Sequence, residues 1–343
     1  KDRLDRRQGL VVSTAGLGLM RGIEGTQGGF VLGGLGQAAF FHLHPHVRPQ
    51  AVDRVAHGKR QFDGDVPAGK AIADAGQRLG GKRRVRGGDV AGPDDPRLGK
   101  IDVVLVSHMH GDHVGDQRIS KTNQGTCGSP DTGVSTLPQS NTVDIAVKHG
   151  SKIVTGSEMP AFFAAKLKDA GGDPANSLLV RFGGEREVGG VAITTVPAVH
   201  SNGVSPSFLT GPLAEYLAAA GVGASVGPPT GYVLRFSNGL VVYLSGDTGI
   251  TAEQKLVVKD HYGAGLVVMN IGDTFTTGPK QAAYVINDLV QPKAVIASHA
   301  NEPATSGGMV QEGTRTALFR DSVTVPVHVP LSGRTMAFNG MAS

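Results

Sequence analysis

An α/β fold with a largely buried sheet is what this sequence predicts, on three observations. Residues 101–107 (IDVVLVS), 265–271 (GLVVMNI) and 293–298 (KAVIAS) are short apolar runs rich in β-branched residues, the pattern of strands covered on both faces. Between the last two, residues 278–289 (GPKQAAYVINDL) read as a helix opened by Pro279, so this part of the chain runs strand, helix, strand. Strands stop beside His108, His200, Asp247 and His299, which points the chemistry to one edge of the sheet.

Taken in order, residues 1–98 are dense in Gly and Arg, and neither a period of 2 nor one of 3.6 persists. The expectations there are strands at 29–35 and 38–43 and a helix at 67–79. Residues 81–96 (GKRRVRGGDVAGPDDP) carry an Arg cluster without interleaved aromatics and read as a solvated loop rather than a phosphate site. A polar loop is expected at 117–141. Ser157 is expected to cap a helix running through 159–170 and stopped by Gly171 and Gly172. Residues 191–197 (VAITTVP) alternate as a strand, and 232–245 form a hairpin through Ser237, Asn238 and Gly239. There is no internal repeat, and residues 1–343 are expected to form a single domain whose clear part is 101–335.

The apolar fraction of 39% against 18% charged residues argues for a folded body rather than disorder. The net charge of +4 is unevenly spread: residues 1–100 hold 17 Lys and Arg against 10 Asp and Glu, so the remainder is weakly acidic. That remainder lacks a basic, aromatic stripe, and no nucleic-acid partner is expected. Cys127 is the one cysteine, which excludes an intrachain disulfide and a four-cysteine zinc site. No apolar run approaches the roughly 18 residues of a spanning helix, so no membrane partner is expected. Residues 9–20 are short and Gly-rich and do not read as a signal peptide, which makes a cytoplasmic location the expectation with periplasm and secretion left open. A small-molecule substrate and a homo-oligomeric state complete the expectations on partners.

The informative stretch is VSHMHGDHVGD, which places His108, His110, Asp112 and His113 within six residues directly after a buried strand. Imidazole and carboxylate are the ligands of zinc and similar divalent ions, and a short turn held by a rigid strand presents them with little ordering cost. One histidine at a strand end is ordinarily a hydrogen-bonded residue and nothing more. Here His200, Asp247 and His299 close three further strands, and the joint set of five His and two Asp suffices for two metal ions. The HLHPH run of His42, His44 and His46 has no carboxylate near it in sequence and reads as no site.

On these residues the sequence resembles the metallo-β-lactamase superfamily, whose HxHxDH turn, later His, bridging Asp and last His are matched in order over residues 101 to about 335. The resemblance implies a four-layer αββα sandwich. It also implies that His108, His110 and His200 hold one metal, that Asp112, His113 and His299 hold the other, and that Asp247 bridges them. His110 points away from the family's di-iron flavoproteins, and Asp247 in place of Cys points away from its true β-lactamases. The segments IGDTFTTGPKQAA (271–283) and PKAVIASH (292–299) resemble the branch of ascorbate-phosphate lactonase-like hydrolases. In the first third the family's buttressing Asp has only Asp63 or Asp65 as stand-ins.

The expected cofactors are two divalent ions, Zn2+ first and Mn2+ or Fe2+ as alternatives, generating a hydroxide that attacks a lactone, ester, amide or isothiocyanate. Asp112 is the expected catalytic residue, orienting the nucleophile or relaying a proton, with a role as ligand alone left open. Residues 201–225 carry Phe208, Leu209, Leu213, Tyr216 and Leu217, of which Phe208, Leu209 and Tyr216 are the expected substrate contacts unless that segment packs its apolar side on the sheet. The alternatives are a phosphodiesterase or nuclease of the same fold, a thioester hydrolase of the glyoxalase II type, and a non-catalytic metal-binding scaffold.

Overall fold

The computed structural model describes residues 100–114, 141–209, 211–330 and 335–338, and three earlier strands. Backbone alone is described for those three strands and for Asp112, Asn141, Thr335 and Ala337. The expected helix at 67–79, the loop at 81–96, most of the loop at 117–141, Cys127, Asp63, Asp65, His44 and His46 lie outside the described residues.

In chain order the strands are β1 Leu10–Ala15, β2 Gly29–Gly33, β3 Ala39–His42, β4 Val103–Val106, β5 Lys152–Thr155 and β6 Ser177–Leu179. They continue with β7 Glu185–Val188, β8 Val191–Pro197, β9 Gly203–Val204, β10 Ala224–Ser225, β11 Thr230–Arg235 and β12 Val241–Leu244. The last are β13 Leu266–Asn270, β14 Ala294–Ser298, β15 Thr305–Ser306, β16 Met309–Val310, β17 Val327–His328 and β18 Thr335–Phe338. Two seven-stranded sheets result, one ordered β18-β1-β2-β3-β4-β5-β6 and the other β17-β14-β13-β12-β11-β8-β7.

The alternation of side chains along each strand explains the layering. Val103 and Leu105 of β4 join Ile193, Leu234, Val242, Leu244, Leu266, Val268 and Ile296 in one buried cluster between the sheets. The intervening Val104 and Val106 face the opposite way, onto the helices Asn141–His149 and Met159–Asp169. On the second sheet Tyr243, Val267, Met269 and Val295 face the helical segments Gln254–Lys259, Pro279–Tyr284 and Arg315–Ser322. Strands apolar on both faces need cover on both faces, and the outcome is helix, sheet, sheet, helix, the αββα sandwich.

The elements that the sequence suggests are largely found, with departures, and others such as β5 and the helix Arg315–Ser322 were not expected. In Met159–Asp169 the buried face is Met159, Phe163 and Leu167, a spacing of four, and Pro160 sits in the first turn where its missing N–H costs nothing. Ser157 does not cap that helix: its backbone is left-handed, at φ 54°, and its hydroxyl donates to the Pro228 carbonyl 2.5 Å away. The polar loop expected to reach residue 141 gives way there to the helix Asn141–His149, whose Val143, Ile145 and Ala146 are buried. The helix expected at 278–289 is found as Pro279–Tyr284 and runs on with wider, π-type turns through Val290.

Tyr232 of β11 ties the two sheets together. Its hydroxyl lies 2.6 Å from the carbonyl oxygen of Val106 and 3.0 Å from that of Val154, at the ends of β4 and β5. Burial pushes its phenol well above the ordinary value, so it stays protonated and donates. Tyr232→Phe should therefore lower unfolding free energy by about 1–3 kcal/mol, because buried carbonyl groups lose a donor. Urea denaturation measures this, and an unchanged midpoint would show the hydroxyl to be idle.

Candidate metal centre

The strand directions bring the ends of β4, β8, β12 and β14 to one edge. Strands β8 and β12 each run antiparallel to β11, hence parallel to each other, and β12, β13 and β14 are parallel. Their C-terminal ends open toward His200, Asp247 and His299. The other sheet is stapled to the same edge where the Thr230 N–H, starting β11, donates to the Ser107 carbonyl at 2.9 Å. His108 follows at once.

Around that edge Asp247 Oδ2 lies 3.3 Å from Nε2 of His113, 3.3 Å from Nε2 of His299, and 3.8 Å from Nε2 of both His108 and His200. Nδ1 of His110 lies 3.1 Å from Nε2 of His108 and 3.3 Å from Nε2 of His200. Two groups form with their ligand atoms within 4.8 Å of one another, His108 with His110 and His200, and His108 with His113 and Asp247. Six of the seven residues expected as ligands thus converge. The seventh, Asp112, lies in the one-turn helix Gly111–Val114 between His110 and His113.

The donor set fits divalent metal. Ligands about 2.0–2.1 Å from a tetrahedral ion stand about 3.4 Å apart, which is the separation found among these nitrogens and the carboxylate. Asp247 Oδ1 is buried without a hydrogen-bond partner among the described residues, a costly state for a carboxylate oxygen that a cation would relieve. Ser107 Oγ lies 2.9 Å from His108 Nδ1, and in the tautomer where Nδ1–H donates to it, Nε2 turns its lone pair toward the other ligands.

Burial is the chief cause holding His108 well below its ordinary pKa, with the neighbouring imidazoles adding to it. The ring is therefore neutral, the form that binds metal. Burial alone would raise the Asp247 carboxyl, but His113 and His299 outweigh it and hold the group well below the usual range, ionised.

Several supporting residues escaped the sequence reading. Gly246 has φ 58°, and a Cβ there would stand 2.8 Å from the Thr230 carbonyl oxygen and 2.9 Å from Ser107 Cβ, where the two sheets meet. A Cβ on Gly272 would stand 2.7 Å from the His299 carbonyl oxygen and 2.9 Å from its Nδ1. His299 itself is left-handed at φ 52°, a conformation that persists only where neighbours enforce it. Buried Asn270 accepts from Ser245 Oγ and donates to the Thr248 carbonyl at 3.0 Å, clamping both sides of Asp247. Asn202 Oδ1 accepts the Met109 N–H at 2.9 Å. The usable signal was the repeated strand, glycine, aspartate punctuation of LSGD and NIGD.

The expected substrate contacts fare differently. A cleft beside the cluster is lined by His110, Val204, Pro206, Leu217, Ala218 and Val222 among others, and Phe208, Leu209 and Tyr216 are not among them. Phe208 and Leu209 pack on the outer core of the first sheet, and Tyr216 is 72% exposed. The reason is helical phase: in Pro212–Ala220 it is Leu217 and Ala218 that turn toward the cleft.

Residues 74–300 match the family described as beta-lactamase superfamily domain. The chain belongs to the metallo-β-lactamase superfamily. It is 32% identical over 213 residues to a UPF0173 metal-dependent hydrolase of Koribacter versatilis, across 62% of this chain and 72% of that one. It is 30% identical over 245 residues to another from Anaeromyxobacter sp., across 71% and 73%, and 30% identical over 216 residues to one from Polynucleobacter asymbioticus, across 62% and 63%. Among solved structures it is similar to a metallo hydrolase of the archaeon Ignicoccus hospitalis, at 21% identity over 71% of this chain and 83% of that one, with a TM-score of 0.47.

Two outcomes follow for this superfamily member. Gly272→Ala should displace His299 and cut metal affinity about 10–100-fold, the usual cost of disturbing a ligand's support. Gly265→Ala, where a Cβ meets nothing within 4 Å, should not, and equal affinities by metal titration would refute the cradle. Because His108 is depressed in the folded state, its stability contribution is whole above the unfolded value of about 6.5 and is lost as pH falls below it. Urea midpoints measured in chelator should decline from pH 7 toward pH 5, and a flat profile would contradict a neutral His108.

Proposed function

We propose that this chain is a di-metal hydrolase of a small electrophile carrying a carbonyl-like group, such as a lactone, ester, amide or isothiocyanate. The observation that carries the reading is the single Asp247 oxygen within 3.3–3.8 Å of four imidazole nitrogens. An acceptor shared so widely suits a carboxylate between two ions. Its relatives are named metal-dependent hydrolases, which supports the same reading.

In this reading His108, His110 and His200 would hold one ion, His113, His299 and Asp112 would hold the other, and Asp247 would serve both. When bound, divalent ions, with Zn2+ the first choice for His-rich ligands, supply a water acidified toward neutrality and a Lewis-acid contact for the substrate oxygen. The chain's own residues do the rest. Ser107 holds the His108 tautomer, and Asn270 and Gly246 hold the Asp247 loop so that charge is fixed before substrate arrives. Asp112, one residue from His113, orients the attacking water or takes its proton.

The test is metal content by elemental mass spectrometry with a chelator-sensitive hydrolysis screen over lactones, esters, isothiocyanates and phosphodiesters. About two equivalents of metal are expected. His110→Ala should lose metal and most turnover, and full activity in metal-verified protein would refute the site. Asp247→Asn should loosen both ions while leaving the circular dichroism spectrum intact, and unchanged metal content would remove the bridging role.

A further inference from the structure

A cleft of about 510 Å³ adjoins the ligand turn at Met109, His110 and Gly111. Its apolar wall is Val204, Pro206, Leu217, Ala218 and Val222, and the remainder is glycine backbone and Ser205. None of the described residues lining it is Lys, Arg, Asp or Glu, so a charged group lodged in it away from the His110 end would find no counter-ion among them and would be desolvated without compensation.

The helix Pro212–Ala220 makes this chemistry more pointed. Glu215 is its one charged residue, yet none of its residues is buried. An apolar helix with nothing buried has not spent its apolar surface on the core. Gly211 and Gly221, at φ 78° and 68°, set it off at either end, and Leu217 and Ala218 border the cleft.

We propose that this cleft is the subsite for the uncharged hydrocarbon part of the substrate, the acyl portion of an ester or lactone whose carbonyl lies at the His110 end, and that Leu217, Ala218 and Val222 set the length accepted. The proposal rests on the hydrolase reading and narrows it: substrates with an uncharged apolar arm are favoured over those whose arm is charged. Each methylene buried should raise kcat/KM about fourfold until the cleft is full.

The experiment has a binding arm that needs no turnover. Binding of n-octanol, n-butanol and 6-aminohexanol, which carries a charge at the far end of its chain, to the metal-loaded protein is followed by saturation-transfer NMR, beside kcat/KM for p-nitrophenyl esters from acetate to decanoate. Wild type should bind octanol well and butanol and 6-aminohexanol at least tenfold less, and the ester series should climb with chain length. Ala218→Trp fills the cleft from an exposed position that no core packing depends on, and should lose octanol binding and flatten the series. Leu217→Ala should shift the optimum to longer chains, which keeps the test alive if the tryptophan variant fails to fold. 6-Aminohexanol binding as tightly as octanol, or octanol binding unchanged in Ala218→Trp, would overturn the proposal. Octanol binding that Ala218→Trp abolishes, in a metal-loaded protein that turns over none of the lactones, esters, amides and isothiocyanates offered, would support the cleft's chemistry and refute the hydrolase reading instead.

Discussion

Burying a carboxylate to 3% exposure costs several kcal/mol unless hydrogen bonds or positive charge surround it, and at Asp247 the fold answers that cost with four imidazoles from distant parts of the chain. This one constraint organises the edge. Each imidazole must reach the same oxygen, so the strands that carry them must end at the same level, and the turns after those strands must be tight enough to leave no slack. Gly246 and Gly272 are two of the places where a side chain would not fit, and both stand directly beside proposed ligands.

The sheets meet at this edge through bonds that join their strand ends rather than their middles. Thr230 donates to Ser107, Tyr232 reaches Val106 and Val154, and both anchors lie within two residues of His108 or at the neighbouring strand. The interior between the sheets is apolar and non-directional, so it sets their spacing and leaves sliding weakly opposed. Directional hydrogen bonds at the edge fix the register, and the register decides whether His108 from one sheet and Asp247 from the other stand 3.8 Å apart.

Much of this was legible before the fold was known, for reasons specific to particular residues. The strands β4, β13 and β14 announced themselves because residues apolar on both faces admit few other environments. The candidate ligands were legible because four of them crowd one turn and the others sit at strand ends. Less was legible where meaning depends on contact: Ser157 has the chemistry of a cap but bonds to Pro228, and Tyr216 is apolar enough to line a pocket but is largely exposed and outside the cleft's lining.

The sequence by itself determined which residues are available for metal and which of the longer apolar segments are strands, because ligand chemistry and periodicity are local properties. Tertiary structure alone decided that His108, His113, His200 and His299 share one carboxylate oxygen, that Gly272 must stay small, and that Leu217 and Ala218 rather than Tyr216 border the cleft. Those are matters of distance and helical phase between segments far apart in the chain, fixed only when two sheets close on a common edge.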